Sequence, residues 1–224
     1  MNLVISGYGK MGQTIEKIIL EKGWPAPLTT NRVESLSPAL ASQSICVDFS
    51  TPTAFRNNYR FLARHFQGVV VGTTDWDDIR EDVFACFQEH NTPLIYASNF
   101  SIGVNLLFEI TQELCQHLQH LHGYQASLKE VHHVHKKDAP SGTAKTLQNL
   151  IQQTIQQTVP IESIREGEVP GTHELTLESS SDCIRLSHQA YSREGFAQGA
   201  VWALEQLPHL SGIHEFRSLL FQQG

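Results

Sequence analysis

Up to residue 101 the chain alternates short apolar runs with segments of helical periodicity. Residues 2–6 form an apolar run, glycines follow, and apolar side chains then recur at helical spacing until Gly23. Further helical stretches cover about 53–66 and 77–90. Apolar runs that lead into turn signals lie at 44–52, 68–74 and 93–101. This alternation predicts an α/β fold with a parallel sheet and helices on both faces, because parallel strands need a crossover between them.

Beyond residue 101 the pattern changes. A segment from about 104 to 121 has the apolar stripe of a long helix, and residues 124–133 alternate as a half-buried strand does. A second helix is predicted after Pro140, followed by strands at 173–179 and 183–190. The apolar side chains at period two in these strands are Leu175, Leu177, Ile184 and Leu186. This half is expected to be α+β with an open mixed sheet.

Composition excludes several classes of protein. The formal charge of −7 argues against nucleic-acid binding, which needs a basic face to displace counterions. No apolar run approaches the length of a membrane span, and the N-terminus resembles no export signal, so we expect a cytoplasmic protein. The four cysteines form no close pair, which favours reduced thiols. The expected partner is a small molecule.

The segment Gly7-Tyr8-Gly9-Lys10-Met11-Gly12 follows the first predicted strand and opens the first predicted helix. Glycines in this pattern allow a tight turn and let backbone N–H groups approach a pyrophosphate at the positive end of the helix. The sequence therefore predicts a Rossmann-type dinucleotide site. An ordinary glycine turn is the alternative.

About twenty residues further on, an acidic side chain commonly holds the ribose diol of NAD. This chain has Thr30-Asn31-Arg32 there instead. Because an arginine can pair with a 2′-phosphate, this favours NADPH over NADH as the cofactor. The alternative is that Arg32 is an ordinary surface residue.

Residues 130–147, EVHHVHKKDAPSGTAKTL, concentrate positive charge. The segment and its flank contain four of the seven lysines, Lys129, Lys136, Lys137 and Lys145. The turn at 138–143 introduces a helix whose free N–H groups and hydroxyls can accept a carboxylate. We expect a pocket for an anion here.

Strand alternation would separate these side chains. His132 and Lys136 would point one way and His133 and His135 the other, although a bend near the strand's end would bring several of them together. The residues alone leave this open. A His-x-His pair on one face offers only two metal ligands, and the lysines would repel a cation, so no metal is expected.

Residues 130–144 resemble the signature of the dihydrodipicolinate reductase family, whose enzymes reduce 4-hydroxy-tetrahydrodipicolinate in lysine and diaminopimelate biosynthesis. The resemblance runs nearly the whole length of the chain. Its other segments are GYGKMG at the start, DFSTP (48–52), GTT (72–74), SNFSIGVN (98–105), VPGT (169–172), and HQAYSR with FAQGAV near the end.

The resemblance implies roles for individual residues. It assigns the chemistry to His132 and Lys136. Lys136 is the first choice of proton donor, and His132 is either a second acid or the group that tunes Lys136 and stabilises the leaving hydroxyl. The residues that it implies for the substrate carboxylates are His133, Ser141, Gly142 and Thr143. Those that it implies around the nicotinamide are Gly72, Thr74, Ser98 and Phe100, with Phe49 and Ser50 nearby. Gly7, Gly9, Met11 and Gly12 are expected near the adenosine and pyrophosphate, and Lys10 and Arg32 complete the predicted cofactor site.

These inferences predict two domains. Residues 1–101, completed by 194–224, are the predicted dinucleotide-binding domain, and residues 102–193 are the predicted substrate-binding and oligomerisation domain. The resemblance implies a homotetramer. The region between VPGT and HQAYSR is shorter than in many members. Because the resemblance implies that the sheet of this domain forms the tetramer, the shorter hairpin is expected to affect the subunit interface or the stability of the tetramer.

The leading hypothesis is therefore an NAD(P)H-dependent 4-hydroxy-tetrahydrodipicolinate reductase. One alternative is a related dinucleotide-dependent dehydrogenase that acts on another small carboxylate; the DAPSGT turn argues against it. The other is a nucleotide-sensing module without chemistry. Retention of the complete signature disfavours that alternative.

Overall fold

A computed structural model describes residues 2–119 and 123–221. The chain divides into two compact units, one formed by Met1–Ser101 with Glu194–Gly224 and the other by Ile102–Arg193. Residue 1, residues 222–224 and the predicted end of the helix at 120–121 lie outside the described residues. The binding roles assigned to the two domains stay predictions.

The first unit contains a six-stranded parallel sheet in the order β10-β5-β4-β3-β1-β2. Its strands are β1 (Asn2–Ser6), β2 (Leu28–Thr30), β3 (Ser44–Asp48), β4 (Val69–Val71), β5 (Leu94–Tyr96) and β10 (Ile213–Glu215). Its helices are α1 (Lys10–Glu21), α2 (Pro38–Ala41), α3 (Pro52–His65), α4 (Arg80–Glu89), α7 (Glu194–Gln206) and α8 (Phe216–Phe221).

Both faces of this sheet are covered. Successive residues of a strand point to opposite faces, and Ile5 of β1 accordingly packs into a core with α1 and α7, while Val4 packs into a second core with α3 and α4. The predicted α/β class is confirmed. The three-residue strands β2 and β10 were not predicted, because each contains one apolar residue and lacks the apolar run that marks β4 and β5.

Local signals set the helix ends. The Thr51 hydroxyl accepts a hydrogen bond from the Ala54 N–H at 3.2 Å, and Pro52 occupies the first position of α3. After α1, Gly23 adopts a φ of 74°, which stops the helix where the sequence predicts.

The second unit contains a four-stranded mixed sheet in the order β7-β6-β8-β9. Its strands are β6 (Gln125–His132), β7 (Ile161–Arg165), β8 (Gly171–Glu178) and β9 (Cys183–Ala190), and its helices are α5 (Ile102–Leu118) and α6 (Gly142–Ile155). The predicted hairpin is confirmed, because Leu175 pairs with Leu186 and Leu177 with Ile184. Strand β7, parallel to β6, was not predicted.

One face of this second sheet packs against α5 and α6. Leu128 and Leu175 from the strands and Leu147 and Ile151 from α6 share this core. Alternation along β6 and β8 therefore sends Glu130, His132 and His173 to the same buried side as these leucines. Within the described ranges, no helix is long and apolar enough to cross a membrane.

Candidate functional site

The glycine turn after β1 is packed tightly at two of its three glycines. Gly7 has a φ of 91°, and a Cβ there would lie 2.3 Å from the carbonyl oxygen of Phe49. A Cβ on Gly12 would lie 2.4 Å from the carbonyl oxygen of Gly7. A Cβ on Gly9 would meet no heavy atom of the described chain within 4 Å. Gly9 thus leaves open space at the start of α1, which it caps.

The N-terminus of α1 can accept an anion. In the described chain no side chain caps this helix end, so its first N–H groups are available to water or a ligand. Lys10 is exposed in the first turn, while Met11 is partly buried against the core. The predicted pyrophosphate position therefore has backbone donors that no side chain of the described chain caps, and an exposed lysine in the same turn.

The residues after β2 contact the same turn. The Oδ1 atom of Asn31 accepts a hydrogen bond from the Tyr8 N–H at 2.8 Å, so the Asn31 carbonyl oxygen already has a partner. Arg32, the next residue, is exposed. Its guanidinium group is accessible beside the turn where a dinucleotide ribose is expected.

Asp48, at the end of β3, joins three strand ends. Its buried carboxylate accepts hydrogen bonds from the hydroxyls of Ser6 at 2.6 Å, Ser50 at 2.8 Å and Thr73 at 2.5 Å. Burial raises the pKa of Asp48, and these hydrogen bonds oppose the rise. The Ser50 backbone N–H donates to the same carboxylate at 3.3 Å, so Asp48 fixes both the side chain and the backbone of Ser50.

The remaining predicted cofactor residues follow β4 and β5. A Cβ on Gly72 would lie 2.2 Å from the Phe49 ring, so any other residue at position 72 would force this ring to move. Thr74 and Ser98 are exposed, whereas Phe100 is 2% exposed and packs on Phe216 in the core. Phe100 can thus shape this region mainly through its ring contact with Phe49, whose centroid lies 5.8 Å away.

All these segments follow the carboxyl ends of parallel strands, which lie at one edge of the sheet. The strand order reverses at β1, between β2 and β3. Ligands of open α/β sheets bind in the crevice at such a switch point. The glycine turn and the Phe49–Ser50 segment lie at the two strand ends that flank it.

In the second unit, Glu130 and His132 form a buried pair on β6. The Oε2 atom of Glu130 lies 3.1 Å from Nδ1 of His132, although neither atom is aligned for a hydrogen bond within the described chain. Burial lowers the pKa of His132, and the charge of Glu130 offsets this only in part. The His132 ring fits because Gly171 lies beside it: a Cβ there would be 3.0 Å from Nε2.

Glu130 is held in its charged form. Burial alone would raise its pKa, but hydrogen bonds from Ser141, Ser163 and Arg165 lower the pKa to about 2. The backbone N–H of Ser141 and the guanidinium of Arg165 each lie 3.0 Å from Oε1. One carboxylate thus contacts the start of α6, the end of β7 and His132.

The chain bends immediately after His132. Strand β6 ends there, the Lys136 N–H donates to the His133 carbonyl at 3.1 Å, and the Val134 N–H donates to Gly167. The bend that the residues left open is therefore present, and strand alternation does not extend to Lys136. The Lys136 ammonium group lies 2.9 Å from an oxygen of Asp138.

The predicted substrate residues lie around the start of α6. Ser141 is buried, and its hydroxyl caps the helix through the Ala144 N–H at 3.2 Å and contacts Nε2 of His173 at 3.1 Å. Gly142 is exposed and Thr143 partly exposed. Because the Ser141 N–H donates to Glu130 and its hydroxyl is also engaged, the exposed Gly142 is better placed than Ser141 to contact an anion.

His133 and His135 follow the end of β6 in this bend. Their ring centroids lie 6.2 Å apart, and His135 is 3.4 Å from Glu168, with both side chains largely exposed. His133 is only partly exposed, and its Nδ1 atom is buried without a hydrogen-bond partner in the described chain.

Sequence reasoning assigned no role to His173 or Arg165. His173 shares the alternation of Leu175 and Leu177 on β8, so its inward direction was available from the sequence. It pairs with Glu130 in the strand register. Arg165 lies on the unpredicted strand β7, and no sequence signal indicated it.

Glu130, His132 and His173 are close enough to be considered as a metal site. One ligand atom from each lies within 4.8 Å of the others. Arg165 already places a fixed positive charge 3.0 Å from the same carboxylate, and the Ser141 hydroxyl contacts His173. These contacts suit an ion-paired hydrogen-bonding cluster better than a cation. The absence of a metal stays a prediction.

Comparison with known proteins covers both units. Residues 23–100 match the family model for the dihydrodipicolinate reductase N-terminus, and residues 103–220 match the model for its C-terminus. A 4-hydroxy-tetrahydrodipicolinate reductase of Christiangramia forsetii is 39% identical over 98% of this chain and 98% of that protein. One from Methanoculleus marisnigri is 31% identical over 78% of this chain and 76% of that protein.

Solved structures show the same fold. The dipicolinate-bound dihydrodipicolinate reductase from Paenisporosarcina sp. TG-14 has a TM-score of 0.79 at 19% identity, covering 96% of this chain and 97% of that one. An amine dehydrogenase from Mycobacterium smegmatis has a TM-score of 0.64 at 10% identity, covering 97% and 95%. The fold is thus shared with other dehydrogenases. The family models and the close relatives show that this chain belongs to the dihydrodipicolinate reductase family.

Proposed function

We propose that this chain reduces 4-hydroxy-tetrahydrodipicolinate to tetrahydrodipicolinate in lysine and diaminopimelate biosynthesis. Family membership supports this activity. The observation that carries it is the buried Glu130–His132 pair at the bend that leads to Lys136 and the α6 N-terminus. Such a cluster can hold an anionic substrate and supply a proton.

The chemistry requires a proton donor and charge complementarity. A bound nicotinamide cofactor supplies the hydride, and the substrate loses its hydroxyl as water. Loss of water leaves a carbon–carbon double bond conjugated with the ring carbon–nitrogen double bond. Hydride addition to the carbon that carried the hydroxyl is favoured when the ring nitrogen is protonated, because the displaced electron pair moves toward that nitrogen; a proton shift then restores the carbon–nitrogen double bond. A positioned ammonium or imidazolium group can provide that proton.

We assign the donor role to Lys136. Because burial lowers the pKa of His132, its imidazole is neutral near pH 7 and is the weaker candidate. His132 is then suited to hydrogen bonding with the substrate or with the departing hydroxyl. The exposed Gly142 and the neighbouring Thr143, together with His133, would bind the carboxylates, while Ser141 maintains the helix start.

We assign cofactor binding to the first unit. Gly7, Gly9, Lys10, Met11 and Gly12 would receive the pyrophosphate and adenosine side at the start of α1. The nicotinamide side would be formed by Phe49, Ser50, Gly72, Thr74, Ser98 and Phe100. Accessible Arg32 supports NADPH as the preferred cofactor over NADH. A homotetramer and a cytoplasmic location remain part of this proposal.

The test is oxidation of NADPH, followed at 340 nm, with substrate generated from pyruvate and aspartate semialdehyde by a coupled synthase. The wild-type protein is expected to oxidise NADPH, and Lys136→Ala to lose activity by roughly a hundredfold or more, as general-acid losses do. Lys129→Ala is the matched control, because Lys129 lies on β6 next to Glu130 and is exposed on the opposite face. A folded wild-type protein that binds NADPH without oxidising it would contradict the proposed function.

A further inference from the structure

Arg165, at the end of β7, contacts the segment that carries both candidate catalytic residues. Its side chain is 19% exposed. The guanidinium group donates to Oε1 of Glu130 at 3.0 Å, to the carbonyl oxygen of Asp138 at 2.5 Å and to that of Lys136 at 3.4 Å. A fourth bond, to the Ile164 carbonyl at 2.8 Å, fixes the group to its own strand.

These bonds reach His132 and Lys136 by different routes. Through Glu130, Arg165 fixes the carboxylate that lies against His132. Through two carbonyl oxygens, it fixes the backbone from Lys136 to Asp138, and Asp138 pairs with the Lys136 ammonium. A single side chain therefore constrains both candidate catalytic groups.

The backbone of β7 supports the same arrangement. Arg165 is in register with His132. The Glu166 N–H donates to the His132 carbonyl oxygen at 2.8 Å, and the Gly167 carbonyl oxygen accepts from the Val134 N–H at 3.1 Å. Backbone hydrogen bonds from the end of β7 thus hold both sides of the bend after His132. Arg165 adds side-chain hydrogen bonds to the same bend.

Only a guanidinium group can make this set of contacts. Its planar fork presents five donors in fixed directions, whereas a lysine ammonium is a point charge on a flexible stem. Lysine can keep the attraction to Glu130 but cannot reach three carbonyl oxygens in separate directions at once. Arg165→Lys therefore keeps the positive charge beside Glu130 and removes the hydrogen bonds to the carbonyl oxygens.

We propose that Arg165 is a positioning residue that holds His132 and Lys136 in one catalytic arrangement through Glu130 and the carbonyls of the loop. This rests on the proposed function. Arg165 itself is assigned no contact with substrate or cofactor.

The experiment measures turnover and cofactor affinity separately for wild-type protein and Arg165→Lys. We expect kcat to fall about ten- to a hundredfold, as when a partner that orients a reacting side chain is lost. The dissociation constant for NADPH, from the protein's own fluorescence quenching, should stay within about twofold, because Arg165 belongs to the second unit. Arg64→Lys, a substitution of an exposed arginine on α3, is the control and should leave kcat unchanged.

Two results would overturn the proposal. One is a kcat of Arg165→Lys within twofold of wild type. The other is a loss of NADPH affinity equal to the loss of kcat, which would indicate general damage to the fold. If Arg165→Lys does not fold, Arg165→Gln provides the same comparison, because its amide still donates hydrogen bonds but leaves Glu130 without a charged partner. Absence of turnover in the wild-type protein would instead remove the proposed function.

Discussion

The carboxylate oxygen Oε2 of Glu130 lies 3.1 Å from Nδ1 of His132, and both side chains are buried. Negative charge at this distance favours the protonated imidazole, whereas burial favours the neutral one. The result is a lowered pKa for His132, with burial as the stronger cause. Burial and the Glu130 charge therefore act in opposite directions on the protonation of His132.

Glu130→Gln should lower the pKa of His132 further, because it removes the charge that opposes burial. The glutamine has nearly the same volume and can still accept from Arg165 and Ser141. NMR titration of the histidine ring protons measures this pKa. Glu162→Gln, at an exposed position of β7, is the control. An unchanged or raised pKa for His132 would contradict the electrostatic role of Glu130.

The buried His173 should lower the free energy of unfolding at acidic pH. Burial, followed by the charge of His132, lowers its pKa to about 4 from 6.5. The unfolded chain therefore binds more protons than the folded chain between these values, so stability is complete above pH 6.5 and falls as pH decreases toward 4. The upper limit is about 3.5 kcal/mol, since each unit of pKa corresponds to roughly 1.4 kcal/mol.

Urea unfolding at pH 5 and pH 7 measures this contribution. His173→Gln should show a smaller difference between the two pH values than the wild-type protein shows. His135→Gln, at a side chain that is 75% exposed, should retain the wild-type difference. Equal pH dependence in His173→Gln and wild type would show that other groups account for the acid sensitivity.

Gly9→Ala and Gly12→Ala should have different effects. The Gly12 Cβ would lie 2.4 Å from a backbone carbonyl, so alanine must displace β1 or α1, and we expect a loss of about 1–3 kcal/mol in unfolding free energy. Gly9 has a φ of −85° and open space around its Cβ, so alanine should preserve stability within about 0.5 kcal/mol. Chemical denaturation compares the two.

NADPH binding tests the same turn. Although Gly9→Ala should be stable, its methyl group would enter the space at the start of α1, and we expect NADPH affinity to fall about tenfold or more, equivalent to roughly 1.4 kcal/mol. Gly195→Ala, where a Cβ also has open space in the described chain, is the control. Unchanged NADPH affinity in Gly9→Ala would place the pyrophosphate elsewhere.

Arg32→Ala should reduce the preference for NADPH. The lost group is expected to pair with the 2′-phosphate, and a charge-assisted hydrogen bond contributes about 1.5–3 kcal/mol, so KM for NADPH should rise roughly ten- to a hundredfold. KM for NADH should change little, because that cofactor lacks the phosphate. Steady-state kinetics with both cofactors measure the ratio. A wild-type preference for NADH would contradict the assignment of Arg32.

Much of the architecture follows from local sequence patterns. Apolar runs between helical segments predicted the parallel sheet, and Leu175, Leu177, Ile184 and Leu186 predicted the hairpin that pairs them. The glycine turn and the cap at Ser141 were also available from local signals. Side-chain periodicity and capping depend on neighbours a few residues away, and therefore appear in the sequence itself.

The surroundings of the candidate catalytic residues depend on distant parts of the chain. Arg165 reaches Glu130 because β7 pairs with β6, and His173 reaches it because β8 pairs on the other side. Strand register joins residues that are 35 and 43 positions apart in the chain, and no local periodicity specifies it. The sequence thus determined which residue types and elements form this protein, whereas tertiary pairing decided that Glu130 is enclosed by Arg165, His132 and His173.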